Sequence, residues 1–547
     1  MTEGRQPQGA ELGIYTSSVN DTLNTLTSIN LISRIWEKDP TAWAGKHEVI
    51  ANRLGWLNAA NYMSENLLTI NDFIKEIQAL KFENFVLIGM GGSSVGPYVL
   101  STIDQANKKL IVLDSTVPAF ISSVFGRLNL QKTLFIIASK SGDTLETVSL
   151  FDYSWEQVKI KCNQTNPYDI GKHFVAITDE NSPLAAIGRD RNFLKVFIND
   201  TTIGGRYSST SYFGYVPAAL MGVDCHKLHS RIAHMSKRCE PSVGIRNNPG
   251  GWLGAALATL YNHGRDKVTI ITSKSISPFS AWIEQILAES TGKSSKGLVP
   301  IINEPLLEPD DYADDRVFVH MRMQGDDNAA DDVAIARVSG LGHPVITIQL
   351  EDAYDLGAEF FRWQMATAVI GHILNINPFD EPDVQYAKKT TLEKIENRQS
   401  VNDELDCNQV RDFNELAQNF QNGDYLAILA YVEQTNGVND SLNILRKRIA
   451  SKKKIATTLN YGPGYLHSAG QLHKGGPDNG IYLLLFSDPI LSIPIPHKDY
   501  DFGRLLHAQI LGDVMALQQK NRKFICLNLG YDSEAGILRL LSQIPDL

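Results

Sequence analysis

The sequence has few cysteines, no excess of positive charge and no long apolar run, and each shortage removes a class of protein. Its five cysteines, Cys162, Cys225, Cys239, Cys407 and Cys526, are scattered without a CxxC pair. Neither a zinc site nor a disulfide framework is therefore expected, and the thiols read as reduced and mostly buried. A formal net charge of -10 argues against a nucleic-acid partner, because counterion release from phosphates needs a concentrated basic surface. An anionic ligand would then have to be held by local dipoles. No stretch approaches the apolar length that spans a bilayer, and the opening MTEGRQPQGAELG lacks the basic and apolar blocks of a secretory signal. No membrane partner and a cytoplasmic location are expected. No His/Asp/Glu cluster has metal-ligand spacing, so neither a metal nor a cofactor is called for.

What is present suits a soluble globular chain, 43% hydrophobic and 20% charged. At 547 residues it is too long for one core, and two to four domains are expected. Residues 1–80 read as helical, with apolar residues at helical spacing in NLISRIW and LGWLNAANYM. Over 81–246 the short apolar runs FVLIG, LIVLDS, TLFIIAS, HFVAITD and LKVFIN alternate with helical stretches. Runs without alternation suit strands covered on both faces, hence a parallel sheet flanked by helices. Over 247–400 the runs KVTIITS, LVPIIN, RVFVHM and PVITIQL repeat the pattern. A polar run beginning at Glu396 marks a boundary, and 401–547 forms a smaller α/β unit from YLAILAYV, KIATTLNYG, GIYLLLFS and KFICLNLG.

Two loops stand out. FVLIG runs into GMGGSSVGP, whose glycines let backbone N–H groups approach a ligand, with Pro97 near the start of the next helix. It has neither the GK[ST] ending of a P-loop nor GxGxxG spacing, and by itself reads equally as a tight turn. TLFIIAS ends in SKSGDTLET, which gathers Ser139, Ser141 and Thr144 at the end of a strand and the start of a helix with Leu145, Val148, Phe151 and Trp155 as its stripe. Ligands bind there in open α/β sheets, and hydroxyls with backbone amides can hold a phosphate dianion. Helix capping is the alternative for either loop alone. A third loop, GGRYS, favours a shared ligand.

In PFSAWIEQILAES, Glu289 lies seven residues after Trp282 on the apolar face, while Glu284 points elsewhere. An inward carboxylate must be paired or have a raised pKa, the second being the tuning of a proton shuttle; a frayed, exposed helix end is the alternative. Arg206, behind two glycines, could stabilise developing negative charge or make a surface ion pair. Lys388 in EPDVQYAKKTTLEKI falls on the inward stripe with Val384 and Ile395, with Lys389 outward; it either serves a site or snorkels.

The segments GMGGSSVGP, SKSGDTLET, IGGRYSSTSYFG, AESTGK and INPFDEPDVQYAK occur in the order of the phosphoglucose isomerase family, which the sequence resembles over roughly residues 80 to 400. That family is built from two sugar-isomerase (SIS) domains. GPGYLHSAGQLHKGGP resembles the isomerase module fused to transaldolase in some bacteria; with about 80 residues before the first strand, no transaldolase domain is expected here. The resemblance implies an α/β fold of two SIS-type domains plus the C-terminal unit, and interconversion of glucose 6-phosphate and fructose 6-phosphate. It implies a phosphate site at Gly92, Ser93, Ser139, Ser141 and Thr144, Glu289 as base, Arg206 as transition-state arginine, Lys388 in ring opening and Glu146 as the residue that orders the site. Subunits share active sites in that family, so a homo-oligomer is a possible form.

The family places its ring-opening histidine after a GQ pair between base and lysine. No GQH lies between Glu289 and Lys388, where His320, His343 and His372 lack that context. GQLHKGG follows the lysine segment, and its His473 takes the role of ring-opening acid, with His467 and Lys474 in the same glycine-rich loop and a structural or exposed histidine as the alternative. Another SIS isomerase acting on a mannose or amino sugar phosphate, or a sugar-phosphate sensor without catalysis, would use the same loops.

Overall fold

The computed structural model describes residues 8–103, 110–163, 166–396, 413–418, 420–488 and 491–543. Cys407 and most of the polar run that begins at Glu396 lie outside the described residues. Fourteen strands form three sheets among the described residues. They are β1 (Gln8–Glu11), β2 (Asn84–Ile88), β3 (Leu110–Leu113), β4 (Thr133–Ala138), β5 (Phe174–Thr178), β6 (Lys195–Ile198), β7 (Lys267–Thr272), β8 (Val299–Ile302), β9 (Arg316–Met323), β10 (Val345–Leu350), β11 (Tyr425–Tyr431), β12 (Ala456–Tyr461), β13 (Gly480–Phe486) and β14 (Lys523–Asn528).

The first sheet has the order β3-β2-β4-β5-β6, the second β1-β10-β9-β7-β8 and the third β12-β11-β13-β14. All pairings are parallel except that of β1 with β10. Each sheet winds alike: its first parallel strand lies one place in from the edge, the next pairs on one side and the third on the other. That reversal makes a crevice at the carboxyl ends of the two strands, where ligands bind in open α/β sheets.

The apolar runs became strands because helices cover both faces; every residue of β4, β5, β11 and β13 is buried. One element departs from the reading of residues 1–80 as helical. Gln8–Glu11 pairs as β1 on the edge of the second sheet, Gln8 opposite Ile348, through its backbone. QGAE carries no apolar signal, so periodicity could not reveal it. The helices used below are α1 (Ala59–Leu80), α2 (Leu145–Lys161), α3 (Phe279–Thr291), α4 (Gln385–Glu396), α5 (Asn436–Lys453), α6 (Gly470–Gly475), α7 (Phe502–Gln519) and α8 (Ser533–Ser542). On α1, Met63, Leu67, Ile70, Phe73 and Ile77 make the buried face that the heptad-like spacing expects.

The third sheet is bolted to the second through buried polar groups. Arg446 of α5 donates to the carbonyls of Ile302 (3.0 Å), Asn303 (2.7 Å) and Thr457 (2.8 Å). Glu304 accepts from the Thr457 amide at 2.7 Å and from Arg316 at 2.9 Å. These charges are buried and paired, so removing one partner would strand the others. The bolt brings the loop after β12 against the first two sheets.

Candidate active site

A cleft of about 510 Å³ opens where all three units meet, with Ser141, Thr144, Glu146, Glu381, Lys388 and His467 on its walls. Ser139 ends β4 at the switch point of the first sheet. Its hydroxyl accepts from the Gly142 amide at 3.0 Å and lies 3.1 Å from the Thr144 hydroxyl. Thr144 precedes α2 without capping it through its side chain, so the capping alternative does not occupy this hydroxyl. The free amides of the first turn of α2 open beside it. The buried face of α2 carries Glu146, Ser149, Leu150 and Phe151; Leu145, Val148 and Trp155 are only half-buried, so the helix is turned slightly from its expected stripe.

Gly92 and Ser93 are buried beneath this cleft and do not line it. A Cβ on Gly92 would stand 2.1 Å from the Gly205 carbonyl oxygen, and one on Gly91, whose φ is 55°, 2.4 Å from the His467 carbonyl oxygen. The first glycine loop is thus a close backbone junction holding the arginine and histidine segments together.

Arg206 is buried and fully engaged. It donates to the carbonyls of Glu289 (2.9 Å) and Asp380 (3.0 Å), pairs with the Glu381 carboxylate, and lies 3.3 Å from Glu289 Oε1. Glu289 Oε2 accepts from Gln285 at 3.2 Å. Burial pushes the Glu289 carboxyl above its ordinary value; Arg206 opposes this and Glu381 reinforces it. The Glu289 side chain is only 14% exposed, which disposes of the frayed helix end. Behind the pair, Lys293 donates to the carbonyls of Ser290 (3.1 Å) and Asn377 (2.7 Å) and pairs with Asp380 at 3.3 Å. Burial and the Arg206 charge bring its ammonium down to about 7.

Lys388 reaches the cleft from the exposed edge of α4, beside the buried Ala387 and Thr391 and not on the inward stripe. Lys389 faces outward toward Glu393 at 3.7 Å.

The two loop histidines part company. His473 is 1% exposed, with its ring centroid 5.7 Å from that of Tyr465 and 5.2 Å from that of Tyr482. Burial first, then the charges of Lys474 and Arg522, hold it well below the ordinary imidazole value. The structure does not bring it to the cleft, and a ring kept neutral lacks the acidic imidazolium proton that a general acid gives. His467 stands there instead, with Nε2 3.0 Å from Glu146 Oε1. Burial would raise the Glu146 carboxyl, but the charge and hydrogen bond of His467 bring it down to about 2. Gln509 of α7 donates to the same oxygen at 2.8 Å and accepts from Thr116 at 2.6 Å, fixing the carboxylate from behind. Lys474 is buried, ion-paired with Asp513 at 2.5 Å. Helix α6 is held against the cleft by Gln471, which donates to Gly292 (2.8 Å) and Asp383 (2.7 Å).

With this geometry in view, the family model described as phosphoglucose isomerase matches residues 60–301, which contain the hydroxyl loop, Arg206 and Glu289. Over that stretch the chain is similar to phosphoglucose isomerases. A glucose-6-phosphate isomerase of Prochlorococcus marinus is 25% identical over 446 residues, covering 74% of this chain and 82% of its own. One of Campylobacter jejuni is 26% identical over 374 residues, 60% of this chain and 87% of its own. The crystal structure of a glucose-6-phosphate isomerase from Chlamydia trachomatis superposes with a TM-score of 0.52 at 20% identity, covering 68% of this chain and 79% of that one, and so shares the fold.

Sequence reading missed Lys293, Asp380, Glu381 and Gln285, although all four sit within or beside the quoted segments. Lys293, Asp380 and Glu381 have charge partners distant in sequence, which left no local signal, whereas Gln285 bonds Glu289 one turn away. His467, named in the same loop and four residues before Gln471, was passed over as the acid because a GQ pair was sought ahead of the histidine.

Glu284 does point elsewhere, accepting two 3.0 Å contacts from Asn460 of β12. Burial pushes its carboxyl up to about 7 from 4.5. The folded state then keeps a proton that the unfolded chain has lost, so stability from this group falls as pH rises from about 4.5 to 7 and stays low above that. Glu284→Gln should match the parent near pH 5 and melt higher at pH 8, by up to about 3 kcal/mol. Denaturant titrations at the two pH values check this, and a pH-independent difference would contradict it.

Among the described residues no group of three or more His, Cys, Asp or Glu side chains could hold a metal ion, and no helix is long and apolar enough to cross a membrane. Cys162, Cys225 and Cys239 form no disulfide.

Proposed function

We propose that the chain interconverts glucose 6-phosphate and fructose 6-phosphate by ring opening followed by proton transfer through an enediolate. The observation that carries this is Glu289, a largely buried carboxylate with a raised pKa beside the Arg206 guanidinium. The same junction of units holds a hydroxyl-rich anion loop and the His467–Glu146 pair. The phosphate sits on Ser139, Ser141, Thr144 and the α2 amides, with Gly92 and Ser93 supporting the loop beneath. His467 serves the ring oxygen and Lys388 the anomeric end. Glu289 takes the proton from C2 and returns it at C1, and Arg206 meets the charge that develops on the enediolate oxygen. A sensor that only binds its ligand would have no use for a proton shuttle tuned in this way.

Base, arginine, lysine and histidine all come from one chain, so a homo-oligomer is not needed to complete the site. The setting this reading implies is the cytoplasm. Incubation with fructose 6-phosphate should yield glucose 6-phosphate; absence of turnover would sink the proposal, and faster turnover of mannose 6-phosphate or an amino sugar phosphate would move the substrate.

Arg206→Lys keeps the charge but cannot hold two carbonyls and two carboxylates from one planar group. Its kcat should fall about 100-fold with KM little changed. Steady-state kinetics decide this, and a loss confined to KM would assign Arg206 to ground-state binding.

A further inference from the structure

We propose that the carboxyl-end crevice of the third sheet is a second ligand site, shaped for a nucleoside that carries no phosphate. In the first sheet the crevice between the two strands where winding reverses carries the hydroxyl loop. The equivalent place in the third sheet, between the ends of β11 and β13, holds a separate cavity of about 460 Å³. That volume falls within the range of small-molecule sites.

Its lining fixes the chemistry. Tyr431 and Val432 line it, and Val117, Pro118 and Ala119, at the start of the helix Pro118–Phe125 that follows β3, add an apolar wall. Across from them stand Glu433, Asp532 and Glu534, which in ionised form only accept hydrogen bonds. Among the described residues no lysine, arginine or histidine lines the cavity. The two helix N-termini that face it are already satisfied: Thr435 accepts from the Val438 amide at 3.2 Å, and Asp532 from the Ala535 amide at 3.0 Å. Glu534 lies against the first turn of α5, its Oε2 2.0 Å from where a Cβ on Gly437 would stand. A phosphate would meet carboxylates without a cation.

Tyr531 stands at the lip, 85% exposed. A planar base against the apolar wall and beneath Tyr531, with its ribose diol donating to the carboxylates, uses every part of this lining.

The crevice also touches what holds the catalytic dyad. Val117 follows Thr116, whose hydroxyl donates to Gln509. Leu506 lines the crevice one turn before Gln509 on α7, and the Tyr431 hydroxyl donates to Asp513 on the same helix at 3.1 Å. An occupant therefore bears on the residue that fixes Glu146.

The test is calorimetry of the full chain with adenosine as the probe and adenosine monophosphate beside it. Adenosine should bind one per chain, and the monophosphate at least tenfold more weakly. Tyr531→Ala, at a position too exposed to affect folding, and Ala119→Trp, which fills the cavity, should each weaken adenosine at least fivefold with isomerase rates unchanged in its absence. No heat at about 5 mM adenosine, equal affinity for the monophosphate, or unchanged affinity in both variants each overturns the site. A kinetic arm rests on the isomerase reading while the calorimetry does not: saturating adenosine should shift KM or kcat for fructose 6-phosphate at least twofold in the parent and not in Tyr531→Ala. Binding without that shift overturns the coupling to Glu146.

Discussion

Glu289→Gln should lower kcat for fructose 6-phosphate by about 1,000- to 10,000-fold, the full range lost when a positioned base is removed. The amide can keep the contacts to Gln285 and Arg206, so melting temperature and KM should change little. Exchange of the C1 proton of fructose 6-phosphate with deuterated solvent should vanish with turnover, since both need the same carboxylate. A kcat within tenfold of the parent would place the base elsewhere. The acid limb of the pH profile adds a second measure. Glu289 must be ionised to act, so activity falls as pH drops through its raised pKa. Glu381 is one of the groups raising it. Glu381→Gln should therefore move the acid limb to lower pH while leaving Glu289 in place; a shift the other way would mean that loss of the Glu381 pairing lets Arg206 turn from the base.

Much of the fold was legible because burial writes itself into composition. FVLIG, TLFIIAS and YLAILAYV carry no alternation, and only a strand covered on both faces needs none. QGAE could not be seen, since an edge strand held by backbone bonds asks nothing of its side chains. The same division runs through the candidate site. Ser139, Thr144, Arg206 and Glu289 sit in segments whose glycines, hydroxyls or helical register bear on their placement. Lys293 and Glu381 owe their importance to Arg206, far away in sequence, and such partnerships leave no periodic trace. Gly92 shows a limit of another kind: a glycine required for phosphate approach and one required beneath the Gly205 carbonyl look alike until the chain is folded. Lys388 was placed on an inward stripe, yet it lines the cleft from an exposed edge, because a long side chain can reach back from where its Cα points outward.

His467→Ala should reduce turnover of the cyclic sugar by about 100- to 1,000-fold, the loss expected when an acid is removed from ring opening. Open-chain substrate already has its carbonyl exposed, so its turnover should be spared, and the rate of anomer interconversion should fall with the cyclic reaction. Equal losses on both forms would show that His467 acts in the proton transfer itself. The neighbouring histidine supplies the contrast. His473 fills space between Tyr465 and Tyr482 and is kept from the imidazolium form. Its replacement by Ala leaves a cavity, and unfolding free energy should drop by about 2–4 kcal/mol while the folded fraction keeps its kcat. Glu146→Gln separates orientation from charge in the dyad. Gln509 and Thr116 can still hold the amide, but the negative partner of His467 is gone. Turnover of cyclic substrate should then fall about tenfold with open-chain turnover kept. If cyclic turnover stayed where it was, Glu146 would be acting through packing alone, and the 3.0 Å contact would carry no charge role.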